Sequence, residues 1–195
     1  MCCIRYSMTI LLLLACGMLS ILDAASTTSI PPWQAHWIWA AEEEGSEMLL
    51  ARRVVDLASL PESARLRITA SSVYKLYING EYIARGPARS APHNQSFDVL
   101  DVVDFLKEGR NVIAIRIHYQ KGTISYHHSG RAGLLAQLDM SMEGKTHTVA
   151  TDSTWRVFDD PSWDKQSPRM SRFHLEVSDR VDLRLIELAQ EAGAD

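Results

Sequence analysis

A chain of 195 residues with 20 Lys and Arg against 24 Asp and Glu carries a net charge of −4, so it offers no basic surplus for nucleic acid. Its 46% hydrophobic content is too high for a disordered polypeptide, and the length suits one or two small domains, short of a catalytic barrel of about 250 residues. The three cysteines, Cys2, Cys3 and Cys16, all precede residue 25, which excludes disulfides, zinc–thiolate centres and cysteine nucleophiles from everything beyond it.

Residues 1–25 have the layout of an export signal: one early cation at Arg5, an apolar run over 8–22, then small residues around Ala24, Ala25 and Ser26. The run is shorter than the roughly 20 residues that cross a bilayer and is interrupted by Cys16, Gly17 and Ser20, so cleavage is expected rather than anchoring. The run LLAC at 13–16 also resembles a bacterial lipobox, in which Cys16 becomes a lipidated N-terminus. Leu14 fits that motif poorly and the apolar run continues past Cys16, which ranks the lipoprotein second. Both readings place the mature protein outside the cytoplasm, periplasmic or extracellular, with membrane contact only if Cys16 is lipidated. Loss of the leader removes one Arg and one Asp and leaves the charge unchanged.

After a linker at 26–32 (STTSIPP) the chain enters an aromatic stretch at 33–39. Segments of period-two character then follow at 48–55, 64–70, 73–78, 81–85, 111–119, 133–140, 146–150 and 154–158. Short strands separated by turn residues predict an all-β fold, an antiparallel sandwich. Asn79-Gly80 between the third and fourth segments predicts a type I′ hairpin of fixed register. In the fifth, Ile113, Ile115 and Ile117 share one face and are expected inside, while Arg116 and His118 face outward or toward a groove. Residues 101–107 predict one helical turn capped by an Asp and stopped by Gly109, closing an end of the sandwich. At the far end Leu185, Leu188, Ala189 and Ala192 have helical spacing, an amphipathic tail.

Several runs, in order, resemble the N-terminal β-sandwich domain of bacterial α-L-rhamnosidases (glycoside hydrolase family 78). They are WIW at 37–39, LRITA at 66–70, YKLYING at 74–80, RGPAR at 85–89, FDVLD at 97–101, LKEGRNVI at 106–113, GLLA at 133–136 and TDSTW at 151–155. The resemblance implies a galactose-binding-like jelly roll over 33–172, followed at 173–195 by a tail that looks like the start of an interdomain link. In that family two carboxylates on a later (α/α)6 helical barrel carry out inverting hydrolysis. No stretch of this chain corresponds to the barrel, so no catalytic residue is carried over. The expectation is an accessory module that partners a catalytic barrel or a rhamnose-containing glycan, or the first piece of a split or truncated rhamnosidase.

Candidate ligand residues follow from chemistry. Tyr74, Tyr77 and Tyr82 suit the apolar face of a pyranose, though cross-strand pairing within the hairpin is the simpler account of them. Arg85 and Arg89 flank the bend at Gly86-Pro87, where guanidinium forks can donate to hydroxyls or carboxylates. His118 and Tyr126 belong to a histidine-bearing loop region at 119–130 with His127 and His128. The spacing there is not that of a metal site, and neither metal nor cofactor is expected. Glu42, Glu43, Glu44 and Glu47 read as a solvated loop, and Asp159, Asp160 and Asp164 as solvated turn residues without calcium-loop spacing. The five tryptophans, Trp33, Trp37, Trp39, Trp155 and Trp163, are expected to pack together where the first and last strands meet.

Overall fold

A computed structural model describes residues 31–40, 47–119 and 131–164; the leader, Tyr126 with its neighbouring histidines, the acidic run at 42–44 and the expected helical tail lie outside the described residues. Among the described residues nine strands are formed: β1 (Met48–Leu57), β2 (Ser63–Ala70), β3 (Val73–Ile78), β4 (Glu81–Gly86), β5 (Asp98–Asp101), β6 (Gly109–His118), β7 (Leu134–Met142), β8 (Lys145–Ala150) and β9 (Arg156–Asp159). They make a five-stranded sheet in the order β4-β3-β6-β1-β9 and a four-stranded sheet in the order β5-β2-β7-β8, with every pairing antiparallel. The predicted all-β sandwich is the fold observed. All eight predicted segments are strands, and β5 is an addition, too short and too acidic at its ends to announce itself.

Alternation decides the layers. Ile113, Ile115 and Ile117 of β6 turn inward with Leu49, Leu76 and Ile78, and meet Leu66, Ile68, Leu134, Leu138 and Met140 of the other sheet, all almost fully buried. Each such side chain contributes about 1.5–3 kcal/mol on leaving water, so this seam outweighs any single polar contact.

The helical turn is a short 3-10 segment at Val103–Phe105, and its capping residue is Val102 rather than the expected Asp. Val102 is drawn wholly into the core, as is most of Leu106. That shift leaves Asp101 one position early, where its Oδ1 accepts from the Val103 N–H at 3.3 Å.

Asn111 ties this turn to the hairpin. It is completely buried, yet its Oδ1 accepts from Lys107 N–H (2.9 Å) and Asn79 Nδ2 (3.0 Å) while its Nδ2 donates to the carbonyls of Lys107 (2.7 Å) and Gly109 (3.0 Å). Every hydrogen-bonding position of the amide is used. Asn79 in turn donates to the Phe105 carbonyl (2.9 Å) and accepts from Val112 N–H (3.0 Å). Asn79 and Gly80 both have positive φ, 53° and 86°, as a type I′ turn requires. A second turn of this kind, Glu143-Gly144 (φ 51° and 71°) between β7 and β8, has no such sequence signal at its first position. Replacing Asn111 by Ala strands several buried partners and is expected to lower the unfolding free energy by about 3 kcal/mol, read as a lower urea midpoint at unchanged slope.

Candidate ligand-binding face

The sandwich has two outer faces, and the chain treats them differently. Across the four-stranded sheet, the segment from Trp33 to Ile38 lies over the strands: the Gln34 N–H donates to Gln137 Oε1 (2.7 Å), the His36 N–H to the Thr151 carbonyl (2.8 Å), and Ile38 pairs with Leu134. Beneath it Arg67, only 3% exposed, donates to Asp139 Oδ2 at 3.0 Å and stacks under the Trp33 ring at 4.6 Å. Gln137 Nε2 (2.9 Å) and Thr148 Oγ1 (2.8 Å) donate to the other Asp139 oxygen. The part of this face around Arg67 and Asp139 is filled by the chain's own groups, while Val99 at its β5 edge stays exposed.

The outer face of the five-stranded sheet holds the remaining polar and aromatic candidates. In β3, Val73, Lys75 and Tyr77 alternate with buried Tyr74, Leu76 and Ile78 and therefore face outward. Register places Lys75 between Arg85 of β4 and Arg116 of β6, and Tyr77 between Tyr82 of β4 and Ala114 of β6. Arg52 of β1 stands beyond Ala114. Tyr77 and Tyr82 meet edge to face at 5.7 Å, and Tyr82 remains 55% exposed.

One end of this face is closed. Arg116 Nε lies 2.9 Å from Asp160 Oδ2, and Asp160 is 2% exposed; its other oxygen accepts from the Ser162 N–H at 3.0 Å. Asp160 is thus a buried counter-charge rather than a solvated turn residue, because the turn after β9 folds back over the sheet. His118, half-buried, packs on Trp163 at 5.3 Å in that cap.

Of the sequence candidates, Tyr82 and Arg85 come together on this face, His118 sits at its capped end, and Arg89 is exposed in the loop after Pro87. Tyr74 must be corrected: it is fully buried, and its hydroxyl donates to Asp98 Oδ2 at 2.5 Å, so no ring face is available to a sugar. It points inward because it shares the parity of Leu76 and Ile78. The tryptophans do not gather in one cluster either. Trp155 joins the core and Trp33 covers Arg67, whereas Trp163 caps His118 and Trp37, 49% exposed, lies against Gly133. Tyr77, weighed with the other tyrosines, lies beside Tyr82 here, while Lys75 and Arg52 join the face without having been singled out as ligand residues; the alternation of YKLYI with its apolar neighbours is the signal that marks Lys75. Among the described residues no group of three or more His, Cys, Asp or Glu is placed to hold a metal.

The RGPAR bend has a steric logic. Gly86 lies so close to the Tyr74–Asp98 pair that a Cβ there would stand 2.0 Å from Asp98 Oδ2 and 2.9 Å from the Tyr74 hydroxyl. The peptide bond joining it to Pro87 is cis.

An antiparallel sandwich with one face partly covered by its own N-terminal segment and the other carrying tyrosines and cations is the class of module that these features define. Residues 59–168, more than half of the chain, match the family described as alpha-L-rhamnosidase N-terminal domain, and the chain belongs to that family. An alpha-L-rhamnosidase of Formosa agariphila is 28% identical over an alignment covering 64% of this chain and 16% of that protein. The crystal structure of a family 78 rhamnosidase of Bacillus sp. GL1 superposes with a TM-score of 0.64 at 38% identity, over 73% of this chain and 15% of that one. The chain therefore spans about one-sixth of the length of these relatives. A lectin from Pleurotus ostreatus, crystallised with GalNAc, shares the fold alone, at 22% identity and a TM-score of 0.51 over 78% of this chain and 43% of that one.

Burial, reinforced by the neighbouring Asp98 carboxylate, pushes the Tyr74 hydroxyl far above the ordinary tyrosine range. The folded chain keeps a proton that the unfolded chain releases above about pH 10, so this contribution to stability is complete below that pH and falls as pH rises beyond it. Urea unfolding measured between about pH 8 and 11 is expected to show a steeper alkaline loss for the native sequence than for Tyr74→Phe.

Proposed function

We propose that this chain is the exported, non-catalytic β-sandwich of an α-L-rhamnosidase-type glycoside hydrolase, which docks on the family's (α/α)6 catalytic barrel or contacts a rhamnose-containing glycan. The observation that carries the non-catalytic part is how the chain uses its shielded carboxylates. Inverting glycoside hydrolysis needs an acid and a base about 6.5–9.5 Å apart across one cleft, with room for a water between them. Asp98 is bound by Tyr74 between the layers, Asp139 by Arg67, Gln137 and Thr148 on one outer face, and Asp160 by Arg116 and Ser162 on the other. Each is committed to holding the scaffold, and no two of them share a face. Family membership supports the docking role, and the open aromatic and cationic face supports contact with a glycan. The layout of residues 1–25 supports export.

A second reading, the N-terminal fragment of a split or truncated α-L-rhamnosidase with its barrel encoded elsewhere, is favoured by one observation: the matches reach only 15–16% of the relatives' lengths. The DNA immediately downstream separates the two, since a barrel in another frame or in the next gene supports the fragment and an unrelated neighbour opposes it.

The purified chain is expected to show no turnover of an aryl α-L-rhamnoside, and hydrolysis that survives repurification overturns the non-catalytic reading. Isothermal titration against rhamnose-containing polysaccharides is expected to give heat; silence with all of them removes the glycan role and leaves docking. Mass spectrometry of the secreted product is expected to find an N-terminus near Ala25 or Ser26, and a lipidated Cys16 there overturns signal-peptide cleavage.

A further inference from the structure

On an acidic chain, the outer face of the five-stranded sheet is cationic where it is open. Arg85, Lys75 and Arg116 follow one another in register across β4, β3 and β6. Side chains directly opposite on one face have Cβ atoms about 4.5–5.5 Å apart, and like charges in that relation repel. Asp160 balances Arg116 alone. Among the described residues Lys75, Arg85 and Arg52 have no carboxylate in ion-pair range. The one other carboxylate on this face of β1, Asp56, stands opposite Arg110 at the far end of the sheet. An arrangement that places Lys75 between two guanidiniums is self-repelling until an anion comes to rest over it.

The next row supplies something that a simple anion site lacks. One outward position further along, two residues on β3 and three on the bulged β4, about 7 Å from Lys75 and Arg85, stand Tyr77 and the exposed ring of Tyr82. Ala114, the smallest side chain of that row, separates the tyrosines from Arg52. An aromatic platform one sugar width from a pair of unbalanced cations is the complement of a pyranose that bears a carboxylate, with the ring face on tyrosine and the carboxylate in the Arg85 fork beside Lys75.

We infer that this face binds an acidic, uronate-bearing polysaccharide, with Tyr82 as the stacking platform and Lys75 and Arg85 as the carboxylate clamp. The inference rests on the glycan-contact half of the proposed function and names the class of glycan. A protein partner fits the face less well at Lys75, since lysine is depleted from the centres of protein interfaces, and it is one of the outcomes that the experiment separates.

Native affinity electrophoresis of the full chain tests it, in gels containing polygalacturonate, its fully methyl-esterified form, poly-L-glutamate or a neutral rhamnose polymer. Polygalacturonate is expected to retard the chain, and esterification to weaken retardation at least tenfold. Tyr82→Ala, and separately the double variant Lys75→Gln with Arg85→Gln, are expected to weaken it about tenfold at unchanged circular dichroism and melting temperature. Lys145→Gln, on the other sheet, is expected to leave it unchanged. Equal retardation by poly-L-glutamate together with indifference to Tyr82→Ala overturns the inference in favour of an acidic protein surface. Binding to the neutral polymer that ignores Lys75 and Arg85 overturns it while sparing the glycan reading, and retardation by none of the polymers overturns both.

Discussion

The hydroxyl of Tyr74 reaches out of the five-stranded sheet to the carboxylate of Asp98, which opens a strand of the other sheet; Tyr74 is fully buried there and Asp98 partly so. A hydrogen bond to an ionised acceptor in such surroundings is stronger than a neutral one and costly to leave unmade. A Cβ at position 86 would collide with this pair, so any residue but glycine there has to displace it. The end of β4 is therefore fixed at Gly86 just as its start is fixed by the Asn79-Gly80 turn. Between those two points β3 offers Tyr74 to Ile78 and β4 offers Glu81 to Gly86, one residue more. The excess appears as a bulge facing Leu76 and Tyr77, with Ile83 and Ala84 both packed against the core. In a regular strand Tyr82 and Arg85 would point to opposite faces. The bulge puts them on the same one.

The two outer faces show how one architecture serves opposite ends. Where Arg67 and Asp139 pair, the guanidinium lies under a tryptophan, the carboxylate takes further bonds from Gln137 and Thr148, and the N-terminal segment shuts out water. A buried ion pair gains little net stability against the cost of dehydrating both charges, so its effect here is to hold the crossing segment in one place. On the opposite face the corresponding cations have been left in water, next to tyrosines that pair with each other and still expose a ring.

Membership of the rhamnosidase N-terminal family gives this contrast a setting. The domain spans about one-sixth of the length of the rhamnosidases it matches, and within it Asp98, Asp139 and Asp160 are bonded into the fold. The cap formed by Asp160 and Trp163 over Arg116 and His118 lies directly after β9, so the segment following that strand forms one boundary of the open face.

What the sequence by itself determined is what depends on short-range pattern. Period-two alternation gave the strands and the inward isoleucines of β6, and the two positive φ angles of Asn79-Gly80 placed the hairpin, because parity and turn chemistry act over a few residues. The ordered runs shared with the rhamnosidase family also carried the architecture, and several of them prove to be folding devices: Asn111 wiring the 3-10 turn to the hairpin, and Gly86 yielding space to Tyr74 and Asp98. Only the tertiary structure decided that Asp160 was a counter-ion, that the tryptophans were dispersed, and that Tyr82 and Arg85 both joined Lys75 and Tyr77 on one surface. Those outcomes depend on a bulge, on a segment crossing from a distant part of the chain and on a turn folding back over a sheet. Each is set by what fills space between residues far apart in sequence, which local pattern does not encode.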